Sequence, residues 1–399
     1  MRVVVSSDNR GLALLAPSPS PKESGPWQSR FEVCGELCPD EYLQRWRQIT
    51  ASRPFAEPFY QPEWFHAGFE THARYKPRYL VSAWEGDNLR GILPLMYDNQ
   101  ISRGIPARVF RSMSWIHSCR FDLIHDGVAP QQSAEYMWKA FLDNKDWDVL
   151  EFLDVPSNGA LNYLIAAALD DDFHVFVWPT RKSPALNLPN GGDPYAHCPR
   201  EWRRFRNRIK SKKRKLSEAG ELTFGAELDR PQRSFEEFVR LESKGWKGKN
   251  GSSIDSNPTV LHFYHSLMRG FSSKGAFLPY ALRLNGRIIA MHFGIYLNGI
   301  YYTPKVAYDE SYSKFSPGQV LMYEVISDLV DRGARKIDFL GPIAPWKSVW
   351  TDEFQAHSSI YIIRPSLYAR LACLTPLRCL RGVRSIRDFI WGDPQERRL

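Results

Sequence analysis

Apolar positions recur along the chain in two patterns, one helical and one made of short runs. Trp202, Phe205, Ile209 and Leu216 return at helical spacings, so they share one face of a helix predicted over 201–219 that Gly220 ends. Further helices are predicted over 39–49, 59–70, 133–144, 161–169, 234–244, 258–272 and 317–332, the last opened by Pro317 and stopped by Gly333. Short apolar runs bounded by turn residues predict strands over 31–34, 79–84, 89–95, 148–153, 173–178, 222–226, 277–284, 288–296, 299–306, 336–340 and 359–363. Gly86-Asp87-Asn88, Asn285-Gly286 and Leu297-Asn298-Gly299 are the turn signals between consecutive runs.

Each half therefore reads as helices, an antiparallel meander, then a helix and a strand. The fold class is α/β, a mixed and largely antiparallel sheet flanked by helices, twice. The domain boundaries follow the composition. Residues 1–30, with Ser-Pro-Ser-Pro, read as a disordered tail, 31–190 as a first domain, 191–363 as a second and 364–399 as a basic amphipathic tail. The Pro/Gly/Asn-rich stretch 184–194 marks the change between domains.

Of 399 residues, 43% are hydrophobic and 24% charged, which excludes a wholly disordered chain, a collagen and a disulfide miniprotein. No apolar run approaches the ~20 residues of a membrane-spanning helix, and Asp8, Asn9 and Arg10 break any signal-peptide core. Six scattered cysteines read as free thiols in a reducing cytosol, and no metal site is expected. The localisation read from this is cytoplasmic, with peripheral contact at the inner face of a membrane as the variant.

The formal net charge of +9 is concentrated. Residues 200–216 hold ten Lys or Arg and one acid, Glu201. Such a face suits phosphates, anionic lipid or a polyphosphate ligand; the alternative is a solvated face that packs only by its apolar stripe. Residues 361–399 carry eight Arg and three acids among regularly spaced leucines. The tail 364–399 would lie on an anionic membrane surface or dock on the protein itself.

Ser316-Pro317-Gly318 opens the predicted helix, where free N–H groups and the helix dipole favour a pyrophosphate or carboxylate. Lys314 adds a cation; the alternative is an ordinary helix start with Pro at its first position. Lys347 lies between Trp346 and Trp350 after Gly341-Pro342. It would hold a phosphate, hold a carboxylate or stabilise an oxyanion, or else snorkel beside two packing tryptophans. Asp338 in the strand before it is a candidate base or orienter, or an exposed strand residue. Cys119 and Cys198 have no His at a recognisable spacing, and His292 reads as structural.

The order of elements and the residues around the last helix resemble the GNAT superfamily. More narrowly they resemble the CelD/BcsL-like acetyltransferases, relatives of the FemAB-type transferases with two tandem GNAT-like domains. In the first half the resemblance rests on Pro58-Phe59 with Glu63-Trp64, Gly91-Ile92-Leu93-Pro94-Leu95 and Phe121-Asp122-Leu123-Ile124. In the second half it rests on Lys212-Lys213-Arg214-Lys215-Leu216, Glu242-Ser243-Lys244 with Trp246-Lys247, Leu284-Asn285-Gly286-Arg287 and Tyr301-Tyr302. It continues through Ala307-Tyr308-Asp309, Ser316-Pro317-Gly318, Asp338-Phe339, Trp346-Lys347 and Trp350. The chain departs from the usual pyrophosphate loop, Q/R-x-x-G-x-G/A: Lys314 to Val320 has one glycine and Val320 at the last small position.

The resemblance implies transfer from acetyl-CoA or another acyl-CoA to an amine or hydroxyl of an envelope or exopolysaccharide precursor, within a ternary complex. It assigns Lys314, Ser316, Gly318 and Gln319 to the coenzyme, with Asp338, Lys347 and Tyr308 as catalytic groups. Trp246, Lys247, Tyr302, Trp346 and Trp350 would bind substrate, and the loop from Trp246 to Ser252 would close over the acceptor. The first domain would be a structural partner, since its last third lacks a Ser-Pro-Gly helix start. Two alternatives remain: a FemAB-like transferase using charged tRNA along the basic helix, and a non-catalytic scaffold on an anionic membrane or synthase complex.

Overall fold

The computed structural model describes Val4–Val5 and residues 26–369, except 35–39, 52–54, 103–104, 116 and 193–199. The expected tail 1–30, the linker residues 193–199 and the basic tail from residue 370 onward thus lie largely outside the described residues, as do the side chain of Trp246 and Cys38, Cys198, Cys373 and Cys379.

One continuous sheet runs through both halves. Its spatial order starts with the meander Trp27–Cys34, Arg78–Glu85, Asn88–Ser102 and Ile105–Ser112. Then come Val149–Pro156, Phe354–Ile363 and His174–Asn187. Lys336–Asp338, Ile300–Tyr308, Arg287–Leu297, Tyr280–Leu284 and Leu222–Ala226 complete it. The pairs are antiparallel except Ile105–Ser112 with Val149–Pro156 and Ile300–Tyr308 with Lys336–Asp338.

Two strands lock the halves together. The last strand, Phe354–Ile363, returns to pair with Val149–Pro156 and His174–Asn187 in the first half. His174–Asn187 then runs straight through the first part of the Pro-rich stretch expected to be a boundary, and its end pairs Ala185, Leu186 and Asn187 with Asp338, Ile337 and Lys336. Pro179 pairs with Ser358 beside a register shift, and Pro184 pairs with Phe354 at the very start of its strand, positions where a missing N–H is tolerated.

The hairpins form where the turn chemistry demands. Asn285 and Gly286, and Asn298 and Gly299, all have positive φ, the geometry that two-residue hairpin turns require. The helices Pro62–Glu70, Pro130–Asp143, Pro231–Lys244, Pro258–Ser273 and Pro317–Asp331 all start on proline, whose missing N–H costs nothing there. The basic helix is Arg200–Glu218.

A bulge shapes the centre of the second half. Phe293 pairs with Lys305 and Ile295 with Tyr302, so the strand Ile300–Tyr308 carries one extra residue between them. Register partners share a face, so Tyr302 and Lys305 both point toward the helices Pro231–Lys244 and Pro258–Ser273 despite their odd spacing. That face packs Phe238, Phe263, Leu267, Phe293 and Tyr302 into one core. The opposite face packs Ile209, Leu216, Tyr301, Leu321, Ile337 and Trp350. The basic helix thus docks by its apolar stripe as the spacing predicts, leaving Arg203, Arg204, Arg208, Lys210, Arg214 and Lys215 exposed.

Candidate functional site

The two parallel strands of the second half part company at a defined point. Ile300, Tyr301 and Tyr302 pair with Lys336, Ile337 and Asp338, and pairing between the two strands stops there. Thr303 Oγ1 still reaches the Asp338 carbonyl at 3.4 Å. Beyond it Leu340 and Gly341 take positive φ and turn away. The helix Pro317–Asp331 begins beside this gap, after a short helical turn Glu310–Phe315.

Four expected coenzyme and catalytic residues meet at that helix start. Ser316 precedes it in the left-handed region, with φ 49° and ψ 57° and no side-chain cap on the helix. Its hydroxyl instead accepts from the Lys212 ammonium of the basic helix. Lys213 of the same helix pairs with Glu324 at 2.6 Å, which seats the basic helix across the later one. A Cβ on Gly318 would meet nothing closer than Tyr308 Cδ1 at 3.8 Å, so the backbone here is open to a ligand on one side and Tyr308 borders it. Lys314 is exposed, its ammonium 4.8 Å from the Phe315 ring. Lys212, Lys314, Ser316, Gly318 and Tyr308 therefore form one surface around a helix N-terminus.

Other expected residues hold the scaffold together. Gln319 donates to the Trp346 carbonyl at 3.1 Å and accepts from Trp350 Nε1 at 2.7 Å, so its amide is committed to the protein. Trp350 is buried, edge-on to Phe205 of the basic helix at 5.0 Å. Trp346 packs edge-on against Phe339. The Lys347 ammonium is buried and donates to the carbonyls of Leu340 and Pro342, which braces the turn beyond the gap. Tyr302 is fully buried 5.9 Å from Phe59, and its hydroxyl has no hydrogen-bond partner.

The segment expected to be a mobile loop is a short helix, Trp246–Lys249. Lys247 Nζ binds Glu242 Oε1 at 2.8 Å and the Val306 carbonyl at 3.0 Å, while its own carbonyl accepts from Ser252 N–H. Glu242 is 2% exposed; it also accepts from Ile254 N–H at 2.8 Å and lies 3.7 Å from Lys305. Burial of this carboxylate holds the turn in place, which loop composition alone does not reveal.

Asp338 is a buried ion-pair partner rather than an exposed strand residue. Arg120, from the first half, binds Asp338 Oδ2 and Glu57 Oε2, each at 2.6 Å. Arg120 and Asp338 are each 2% exposed in their side chains. Burial would raise the Asp338 carboxyl, but Arg120, Lys336 and the Leu340 N–H outweigh it and hold it below the usual range. A carboxylate so stabilised is a poor proton acceptor. Burial pushes Glu57 up, with Arg120 opposing and Asp338 adding to the rise.

Sequence reasoning missed Glu57, Arg120 and their neighbours. Cys119 lies against the Gly341 N–H, and burial raises its thiol. His117 Nδ1 stands 3.3 Å from the Tyr264 hydroxyl; burial, then Lys305, lowers it to about 3, so it is neutral near pH 7. The segment from His117 to Phe121 thus lines the first-half side of the gap.

Asp122 in that segment accepts from the backbone N–H groups of Leu123, Ala160 and Leu161. Burial nevertheless pushes its carboxyl up to about 7. In the unfolded chain it ionises near ~4, so between these values only the folded chain holds the proton. This group's contribution makes stability fall as pH rises from about 4 to about 7. Asp122→Asn should flatten that slope in urea unfolding midpoints compared at pH 5 and pH 8.

Residues 203–348 match the family described as an acetyltransferase (GNAT) domain. That stretch is a GNAT acetyltransferase domain. The protein is accordingly an acyltransferase of the GNAT type. Among solved structures, FemX superposes with a TM-score of 0.55 at 13% identity, covering 85% of this chain and 98% of FemX. The C-terminal domain (DUF2156) of an Agrobacterium fabrum protein, described there as a lysylphosphatidylglycerol synthetase, superposes with a TM-score of 0.51 at 11% identity. That match covers 86% of this chain and 98% of the domain. At such identities the likeness is one of fold. No curated protein matches the sequence. Among the described residues no helix is long and apolar enough to cross a membrane.

Proposed function

We propose that the protein moves an acyl group from acyl-CoA to an amine or hydroxyl acceptor by direct transfer in a ternary complex, the acceptor being an envelope or exopolysaccharide precursor. The observation that carries this reading is the open helix start at Pro317, with Lys212 on Ser316, beside strands that separate after Tyr302 and Asp338. Pro317 has no N–H and those of Gln319 and Val320 donate to the Ser316 carbonyl, so the Gly318 N–H, the helix dipole, Lys212 and Lys314 are what suit the coenzyme's phosphates. The gap between the strands suits the thioester. Tyr308, next to Gly318, would donate a proton toward the departing thiolate, and the proton lost by the attacking amine or hydroxyl would pass to water and restore it. Asp338, paired with Arg120, would orient rather than accept a proton, and Lys347 would hold the turn that shapes the gap. Bringing the two reactants together would supply most of the rate, since good positioning is worth roughly 7–11 kcal/mol at best.

The test is an initial-rate study of thiol release from acetyl-CoA with an amine-bearing sugar as acceptor. Direct transfer gives intersecting double-reciprocal lines; parallel lines would replace it with a covalent acyl-enzyme, and no thiol release from any acyl-CoA would end the reading. A charged tRNA is the second donor candidate, favoured by the exposed cations Arg203, Arg204, Arg208, Lys210 and Lys215. Co-purifying RNA and steep loss of binding with salt would support it.

A further inference from the structure

The first half holds a cavity that the transfer reading leaves unused. It lies at the carboxyl end of the strand Val149–Pro156, between the turn Pro58–Tyr60 and the start of the helix Leu161–Asp170, and encloses about 280 Å³. Pockets for larger ligands span roughly 300–1,000 Å³, so this one fits a single small molecule and not a coenzyme.

Its lining is aromatic and acidic. Phe55, Tyr60 and Tyr163 supply ring surfaces, Glu57 and Asp122 supply carboxyls, and His125 with the amides of Asn158 and Gln355 adds neutral polar groups. No Lys or Arg is among the lining residues. Arg120, behind Glu57, is spent on Glu57 and Asp338, so an ammonium gains more from the lining carboxyls and the ring faces than a phosphate or carboxylate would.

The polar groups are only partly satisfied within the protein. Tyr60 is 4% exposed, and its hydroxyl has no hydrogen-bond partner among the described residues. His125 is 9% exposed; its Nδ1 accepts from Gly127 N–H at 2.9 Å, so the ring proton sits on Nε2, which no group among the described residues takes. Glu57 uses Oε2 on Arg120 and keeps Oε1 for another donor. Such buried groups are costly unless something completes them. A ring bearing hydroxyls and an amine offers a donor to Glu57, an acceptor to His125, either to Tyr60, and C–H faces to the aromatic walls.

We propose that this cavity binds a small hydroxylated amine of the amino-sugar class. Its role as the acceptor rests on the acyltransferase reading; its binding does not. Glu57 links the cavity through Arg120 to Asp338, where the strands part, so the bound amine stands on the first-half side of the transfer site. Burial raises both Glu57 and Asp122, and a bound cation would offset that rise.

The test is calorimetric titration of the full chain with glucosamine, glucose and glucosamine 6-phosphate, in the absence of any coenzyme. Glucosamine should bind, with both glucose and the phosphorylated sugar at least about tenfold weaker. Tyr163→Ala should weaken glucosamine about tenfold. Asn158→Trp, at an exposed rim position and so safe for folding, should block it outright. No glucosamine binding, equal binding of the three sugars, or indifference to both variants would overturn the assignment. Kinetics separate the two readings. Binding as described with no transfer from any acyl-CoA would retain the cavity and remove the acyltransferase acceptor role. Transfer to an amine whose KM ignores both variants would remove the cavity assignment and retain the transferase.

Discussion

Arg120→Met is expected to cost the folded chain about 3–5 kcal/mol, because it leaves Asp338 and Glu57 without their shared counter-charge in a buried setting. Asp338 would keep the Leu340 N–H and the field of Lys336, and Glu57 would lose its hydrogen-bonded partner. The loss is also topological. Arg120 belongs to the first half and Asp338 to the second, so this ion pair joins the halves at the point where the parallel strands separate. Urea unfolding at neutral pH reads the effect directly. The acid limb gives a second signature. Asp338 is held below its usual range, so its stabilisation is present above the unfolded value and is lost as pH falls through the folded one. In Arg120→Met that acid-side loss should shrink, since only Lys336 and the Leu340 N–H would then oppose burial. Arg120→Lys, which keeps the charge but not the two-pronged geometry, should recover part of the stability.

Glu242→Gln should cost about 2–3 kcal/mol, a hydrogen-bonded charge lost from a buried site. Glu242 lies within reach of both Lys247 at 2.8 Å and Lys305 at 3.7 Å. Its other oxygen accepts from Ile254 N–H. The amide keeps the shape, so the change isolates the charge. Unfolding midpoints measure the cost, and hydrogen exchange at Ser252 and Ile254 should rise as the turn Trp246–Lys249 loosens. A variant as stable as the natural chain would show that the Glu242 charge does not hold this turn.

Local signals in the sequence carried most of the second half. Asn285-Gly286 and Asn298-Gly299 demand positive φ, so the meander is legible from a few residues. Pro317 and Gly333 mark their helix equally well. The basic helix was readable from its apolar stripe, because Ile209 and Leu216 are buried at the expected spacing. The strand Ile105–Ser112 escaped notice, since Arg108 and Arg111 interrupt its apolar run; their charges are answered across the sheet by Asp148 and Glu151. The passage of His174–Asn187 through a Pro-rich stretch was hidden for a similar reason, because its partners are far away in sequence.

At the site, the helix start with Ser316, Gly318 and Lys314 was legible from proline, glycine and charge. The committed roles of Gln319, Lys347 and Lys247 were not. Each is set by a partner, whether Trp350 Nε1, the Leu340 carbonyl or Glu242, that no spacing rule predicts. Arg120 is the clearest case, since its tie to Asp338 spans 218 positions and leaves no periodic trace.

The central claim is that the helix start at Pro317 receives the phosphates of an acyl-CoA. Calorimetric titration of acetyl-CoA and free CoA into the natural chain and Gly318→Trp tests it most directly. The open space around the Gly318 Cβ position lets the indole fill the ligand's place without disturbing the fold. The account predicts binding by the natural chain, with a stabilisation of about 2.7 kcal/mol at a hundredfold excess over Kd, and its loss in Gly318→Trp. Absence of binding by either ligand, or equal binding by the variant, would contradict it.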